Sequence, residues 1–268
     1  MFKQSCFQIK RLRNTCCSIN NTSSRRSIFS FLKPTNDKPK RREFKTEIIK
    51  PEYALSESTP PGASAVPLKQ KQSIDIESMT KICQLTRRAL NELCELVENE
   101  KASTTGDLDD YLYQFCLENN AYPSPYQYHG FPATICTSIN DVAAHGIPKN
   151  SEKLNKGDVV NIDVSLYKYG HHGDTSKTII VGGEKYSNDE KKQLLNVSLQ
   201  ALQVGINSVK PGVPWIRIAK EIDRFMKDYP QLTVTSNMVG HGIGREFHCV
   251  TFYYHYYFKI YYNKTMQE

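Results

Sequence analysis

The stretch Gly157-Asp-Val-Val-Asn-Ile-Asp163-Val-Ser-Leu-Tyr-Lys-Tyr-Gly170-His-His-Gly-Asp174-Thr175 decides how the chain folds. Within it Val160, Ile162, Val164 and Leu166 alternate with Asn161, Asp163 and Ser165, the period of two that marks a strand with one apolar and one polar face. Asp163 then projects from the polar face. An antiparallel hairpin turning near Lys168 and Tyr169 sets Asp174 almost opposite Asp163. Directly opposed residues in such a pair have Cβ atoms about 4.5–5.5 Å apart, and two carboxylates there repel, so something positive is expected between them. Spacing alone leaves an alternative open, in which Asp174 caps the turn made by Gly170 and Gly173 while Asp163 is solvated.

A third candidate ligand lies in Gly240-His241-Gly242-Ile243-Gly244, where glycines on both sides leave the imidazole little crowded at a strand end. Taken alone, a histidine there is more often structural. Two carboxylates and an imidazole are oxygen and nitrogen donors that suit Mn, Fe, Co or Zn rather than Ca.

Outward from this core, Met79, Ile82, Cys83, Thr86, Leu90, Leu93 and Val97 recur at helical spacing over residues 74–100, and Leu108, Tyr111, Leu112 and Phe115 repeat the pattern over 106–119. A polar-aromatic stretch broken by Pro123, Pro125 and Pro132 leads to strand-like segments over Thr134–Ile139 and Val159–Leu166. Ser187 with Glu190 reads as a capping box that opens a third helix, closed by Pro211 and Gly212. A fourth follows Pro214 and buries Ile218, Ile222, Phe225 and Met226, and Leu232–Val239 reads as a strand running into Gly240. Two helices followed by strand thus occur twice, which suits an α+β fold in which two similar halves wrap helices around a curved sheet.

The chain of 268 residues carries a formal charge of +7, but its first 36 residues hold seven Lys or Arg and no acid. Arg- and Ser-rich and acid-free, with Arg25 and Arg26, this leader has the composition of an organellar transit peptide; a basic arm that binds RNA or a ribosome surface is the alternative. No apolar run reaches the length of a membrane span, which excludes an integral membrane function. The eight cysteines, among them Cys83, Cys94, Cys116, Cys136 and Cys249, show no zinc-type spacing and read as reduced thiols. A charged, then Pro-rich stretch from Lys38 to Lys71 reads as linker, so the chain divides into a leader and disordered linker (1–64), a folded domain (65–248) and a tail (249–268).

Tyr122-Pro-Ser-Pro, His129-Gly-Phe-Pro, Cys136-Thr-Ser-Ile-Asn, His145-Gly-Ile-Pro, the stretches around Asp163 and Asp174, and Gly240-His-Gly-Ile-Gly, in this order, resemble the type 1 methionine aminopeptidases of peptidase family M24 from about Val66 to His248. The resemblance implies the "pita-bread" fold and removal of the initiator methionine from nascent chains whose second residue is small. It also implies two divalent ions (Co, Mn, Fe or Zn), about 3.5–4 Å apart, with a bridging water. By motif, Asp163 would bind one ion, Asp174 would bridge both and His241 would bind the other. His145 and His248 would act on the substrate's amide nitrogen and carbonyl oxygen, and Tyr128, Phe131, Cys136 and Phe247 would line the methionine pocket. For these four, ordinary core packing is the alternative. The leader favours a mitochondrial form, with the cytoplasm second. The expected partners are N-terminal methionine of nascent chains and the ribosome, not DNA.

The chain departs from that pattern after Cys249. The family places two further glutamate ligands beyond the histidine matched by His248; this sequence ends at Glu268, and neither Glu246 nor Glu268 stands in those motifs. The expectation is an incomplete metal shell and a Tyr-rich, aberrant tail over 249–268. Two other readings stay open: a non-catalytic pita-bread module that binds peptides or ribosomes, and a proline-directed peptidase of the same fold.

Overall fold

The computed structural model describes residues 41–55, 73–232, 234 and 240–249. The 1–40 part of the leader, the Tyr-rich stretch from 250 onward and most of the strand expected over Leu232–Val239 lie outside the described residues. The rest forms an antiparallel sheet covered by helices, an α+β architecture.

Helices α1 (Ser73–Glu98) and α2 (Thr105–Glu118) are the expected pair. Ile82, Leu90, Leu93 and Val97 of α1 and Leu108, Leu112 and Phe115 of α2 are buried in one cluster. Thr104 starts α2 with a reciprocal cap: its hydroxyl accepts from the backbone N–H of Asp107, whose carboxylate accepts from the N–H of Thr104. This meets backbone donors that a helix start otherwise leaves without partners.

The sheet has four strands: β1 (Tyr122–Pro123), β2 (Cys136–Ile139), β3 (Val159–Lys168) and β4 (His171–Ile180). β3 is central, paired with β4 along its whole length on one edge and with β2 and then β1 on the other. Val160, Ile162, Val164 and Leu166 of β3 enter the same core as α1 and α2. The opposite face is not open to water either, since Asn161, Asp163 and Ser165 are also buried. Gly173, opposite Leu166, sits so close to α1 that a Cβ there would lie 2.6 Å from the Thr86 hydroxyl and 3.0 Å from the Ile82 carbonyl oxygen.

Register differs from the sequence expectation. The two-residue turn is Tyr169-Gly170, both at positive φ, not Lys168-Tyr169. That turn pairs Lys168 with His171, so Asp163 lies opposite Ser176 and Asp174 opposite Ser165. The two aspartates share a face but are diagonal neighbours, a separation of roughly 7–8 Å between such positions.

Three further differences from the sequence expectation concern the third and fourth helices and residues 41–55. Helix α3 (Asp189–Asn207) is capped by Asn188, whose side chain accepts from the N–H of Lys191, rather than by Ser187. Helix α4 (Ile216–Met226) buries Ile218 and Met226, while Ile222 and Phe225 pack partly buried against the α3–α4 cluster. Residues 41–55, expected to be linker, pack on the body: Ile48 is buried with Tyr122 and Tyr126, and Arg42 pairs with the buried Asp109. Apolar Phe44, Ile48 and Tyr53, spaced through the charged stretch, account for this.

Replacing Leu93, wholly buried between α1, α2 and the sheet, by Ala is expected to cost about 2–5 kcal/mol, read as a lower urea midpoint of unfolding.

Candidate metal centre

The polar face of the hairpin carries Asp163 and Ser165 on β3 and His172, Asp174 and Ser176 on β4, with Cys136 of β2 opposite Asp163. Ser165 donates its hydroxyl to Asp174 at 2.6 Å, orienting a carboxylate that is 1% exposed. His172 is buried beside it. Its Nδ1 lies 2.8 Å from the Ser124 hydroxyl, and desolvation pulls the ring's pKa down to about 3, so the imidazole is neutral.

The glycine-rich segment 240–249 lies along the edge of β4, where the His172 N–H donates to the Gly244 carbonyl at 2.8 Å. Gly242 and Cys249 exchange two backbone hydrogen bonds (2.7 and 2.8 Å), which folds the segment back on itself. That closure brings His241 and His248 together, with ring centroids 4.3 Å apart. Arg245 and His171 both reach Asp75 in the first turn of α1, at 2.8 and 2.9 Å. The segment is therefore tied to both the hairpin and the helix.

His241 donates from Nδ1 to the Gly242 carbonyl, since a carbonyl can only accept, and presents Nε2 3.6 Å from Asp174 Oδ2. This arrangement, one ring nitrogen bonded to a backbone carbonyl and the other facing a carboxylate, is typical of a metal-ligating imidazole. Two ligands about 2.1 Å from one tetrahedral ion are roughly 3.4 Å apart, so the spacing fits a shared divalent ion. Asp163 stands on the same face, one diagonal step away. Among the described residues, no three His, Cys, Asp or Glu side chains converge closely enough to form a complete cage.

Beside these donors lies an aromatic group. Tyr128 meets Phe247 at 4.9 Å and His248 at 5.1 Å between centroids, and its hydroxyl is 2.9 Å from His248 Nδ1. Burial pushes the Tyr128 phenol up to about 12, which keeps its proton on. When that hydroxyl donates, His248 carries its proton on Nε2 and can give a hydrogen bond to a carbonyl oxygen. Phe131 and Cys136 belong to a separate small cluster with Ala133 and Ile147. His145 stands exposed at positive φ on the 140–150 loop, two residues before Ile147. Gly146 pins that loop to β2: its carbonyl accepts from the Thr137 N–H at 2.9 Å, and a Cβ there would fall 2.0 Å from the Thr137 carbonyl oxygen.

Asp174, His241, His248, Tyr128 and Phe247 are thus linked by direct contacts, while Phe131 and His145 sit on flanking loops and Cys136 starts β2. Sequence reading missed His172, Ser165 and Ser124. Ser165 carried a signal, because it shares the polar face of β3 with Asp163.

The model of the metallopeptidase family M24 matches residues 77–268. The chain belongs to that family, on its methionine aminopeptidase branch. It is 35% identical over 246 residues to methionine aminopeptidase 1C, chloroplastic/mitochondrial, of Arabidopsis thaliana, covering 92% of this chain and 67% of that protein. With the methionine aminopeptidase of Haemophilus influenzae it shares 37% identity over 194 residues, 72% of this chain and 70% of the other. The crystal structure of methionine aminopeptidase from Rickettsia prowazekii superposes with a TM-score of 0.64 at 36% identity, over 68% of this chain and 71% of that one. The chain therefore spans about two thirds of the length of these relatives. Family membership accounts for the pita-bread likeness and for divalent metal as the cofactor class. Among the described residues no helix is long and apolar enough to cross a membrane.

A Gly146→Ala variant is expected to unseat the 140–150 loop, since overpacking of this kind costs roughly 1–3 kcal/mol. Hydrogen exchange at the Thr137 amide would report it as lost protection with the β3–β4 amides unchanged.

Proposed function

We propose that this protein is a metal-dependent aminopeptidase that removes the initiator methionine from nascent proteins, preferring a small second residue. The observation that carries the reading is the position of His241, 3.6 Å from Asp174 on one side and 4.3 Å from the His248 ring on the other, next to the apolar Tyr128–Phe247 ring pair. Asp163, Asp174 and His241 would hold divalent ions, two in number by family likeness, drawn from Co, Mn, Fe or Zn. When bound, such ions lower the pKa of water and polarise a carbonyl.

The chain's own residues do the remaining work. The Ser165 hydroxyl fixes the rotamer of Asp174, and the Gly242 carbonyl fixes the tautomer of His241. Tyr128 holds His248 with its Nε2 proton available for the scissile carbonyl oxygen, where negative charge develops as the carbonyl is attacked. His145, carried on the loop pinned by Gly146, would meet the amide nitrogen. Phe247 and Tyr128 would receive the methionine side chain, with Phe131 and Cys136 on the adjoining wall, and exclude larger ones by contact.

The acid-free leader supports delivery to mitochondria, in keeping with the organellar name of the Arabidopsis relative. Substrate would then be met on organellar ribosomes. A second reading, a module that binds peptides without turnover, draws on one observation: the described residues alone do not complete a three-donor cage.

Release of methionine from a Met-Ala-Ser peptide by the full chain, with Mn²⁺ or Co²⁺ added, separates the two. The aminopeptidase reading expects metal-dependent release that falls at least about 100-fold in Asp174→Asn. No release with either metal, while the peptide still binds, would favour the non-catalytic module.

A further inference from the structure

Residues 41–55 belong to none of the motifs that identify the family, yet they anchor at two places, one on Asp109 and one against Tyr128 of the site. At the first, Asp109 is 7% exposed; one carboxylate oxygen accepts from the Thr134 N–H (2.7 Å) and hydroxyl (2.6 Å), and the other accepts from the Arg42 guanidinium. Arg42 also reaches Asp110 at 2.7 Å and lies over the Tyr113 ring at 4.6 Å. Its positive charge offsets the burial of Asp109, which would otherwise carry a large desolvation cost. Thr134, held in this way, sits between Phe131 and Cys136.

At the second place, Tyr53 donates its hydroxyl to the Ser124 carbonyl at 2.6 Å. Its ring meets Tyr128 edge-on, with centroids 4.9 Å apart at 73°, and stacks near His172 at 6.2 Å and 18°. Burial pushes the Tyr53 phenol far up, so it stays a donor. Between the two anchors Phe44 and Ile48 pack on Tyr122 and Tyr126. Tyr128 has few rotamers left: Tyr53 and Phe247 both pack on it at 4.9 Å, and its hydroxyl is engaged with His248.

We propose that the 41–55 segment is a built-in buttress of the methionine pocket, and that Tyr53 is a positioning residue that sets the Tyr128 ring and, through it, His248. Arg42 plays the corresponding part for Phe131 and Cys136 by way of Asp109 and Thr134. The proposal rests on the aminopeptidase reading above and deepens it. The pocket's fit to an unbranched thioether side chain is then partly set by residues that do not touch the ligand. An edge-on aromatic pair is the geometry such rings prefer, and losing one reduces binding through looser preorganisation rather than through a lost ligand contact.

The test is calorimetric titration of the full chain with L-methionine and, separately, with Mn²⁺. In Tyr53→Ala, methionine affinity is expected to fall roughly three- to tenfold, the size of one aromatic pair, while Mn²⁺ affinity stays at the wild-type value. Tyr53→Phe, which keeps the ring, is expected to bind methionine within about twofold of wild type. In a Tyr128→Leu background, Tyr53→Ala should add less than about twofold, because the two residues act in series. Wild-type methionine affinity in Tyr53→Ala, or an undiminished extra loss in the Tyr128→Leu background, would overturn the proposal. If Tyr53→Ala does not melt cooperatively, Tyr53→Leu, which keeps apolar bulk without the ring edge, decides by the same comparison. A wild-type chain that binds Mn²⁺ but no methionine would instead overturn the aminopeptidase reading.

Discussion

Two carboxylates buried on one face of one hairpin govern how the rest of this molecule is arranged. Asp163 and Asp174 are 5% and 1% exposed, on a face that also holds Ser165, Ser176 and His172. Removing a carboxylate from water costs several kcal/mol unless donors or cations replace the lost solvation. The Ser165 hydroxyl donates to Asp174, and Nε2 of His241 lies 3.6 Å from the same carboxylate. A chain seeking only stability would place apolar side chains here, since such replacements are often neutral or stabilising. Retaining two acids on an interior face supports the proposal that this face holds a cation.

From that constraint the roles of neighbouring elements follow. Helix α1 covers the apolar face of β3 and β4, and the absence of a side chain at Gly173 lets it approach. The same helix supplies Asp75, which holds Arg245 and His171 and so links the histidine-bearing segment to the hairpin turn. Backbone pairing between His172 and Gly244 sets the height of that segment along β4. Loop, hairpin and helix are therefore one mechanical unit, and the position of His241 relative to Asp174 depends on all three.

Much of this was legible in the sequence. Alternation over Val159–Leu166 gave the strand and its two faces, and helical spacing gave α1 and α2, because both patterns are set by burial alone. The pairing of Asp163 with Asp174 was read wrongly by one two-residue step. Placing the turn at Tyr169-Gly170 required knowing that a tyrosine would accept positive φ, which residue type does not advertise. The cap at Asn188 instead of Ser187 is a similar near miss, since both side chains can accept from the helix start. Residues 41–55 escaped because charge and proline dilute the few apolar positions that anchor them. His172 and Ser124 were illegible for a different reason: their closeness arises only when β1 and β4 flank β3, a contact between residues 48 positions apart.

The most direct measurement is the melting temperature of the full chain as Mn²⁺ is titrated in. A ligand that binds only the folded state stabilises it in proportion to the logarithm of its concentration, so at about 100 times Kd the midpoint should rise by roughly 5–10 °C. The account predicts that rise in the wild-type chain and its loss in Asp163→Asn and His241→Ala. An unchanged midpoint across the titration, or an equal rise in those variants, would contradict the claim that this face of the hairpin is a metal site.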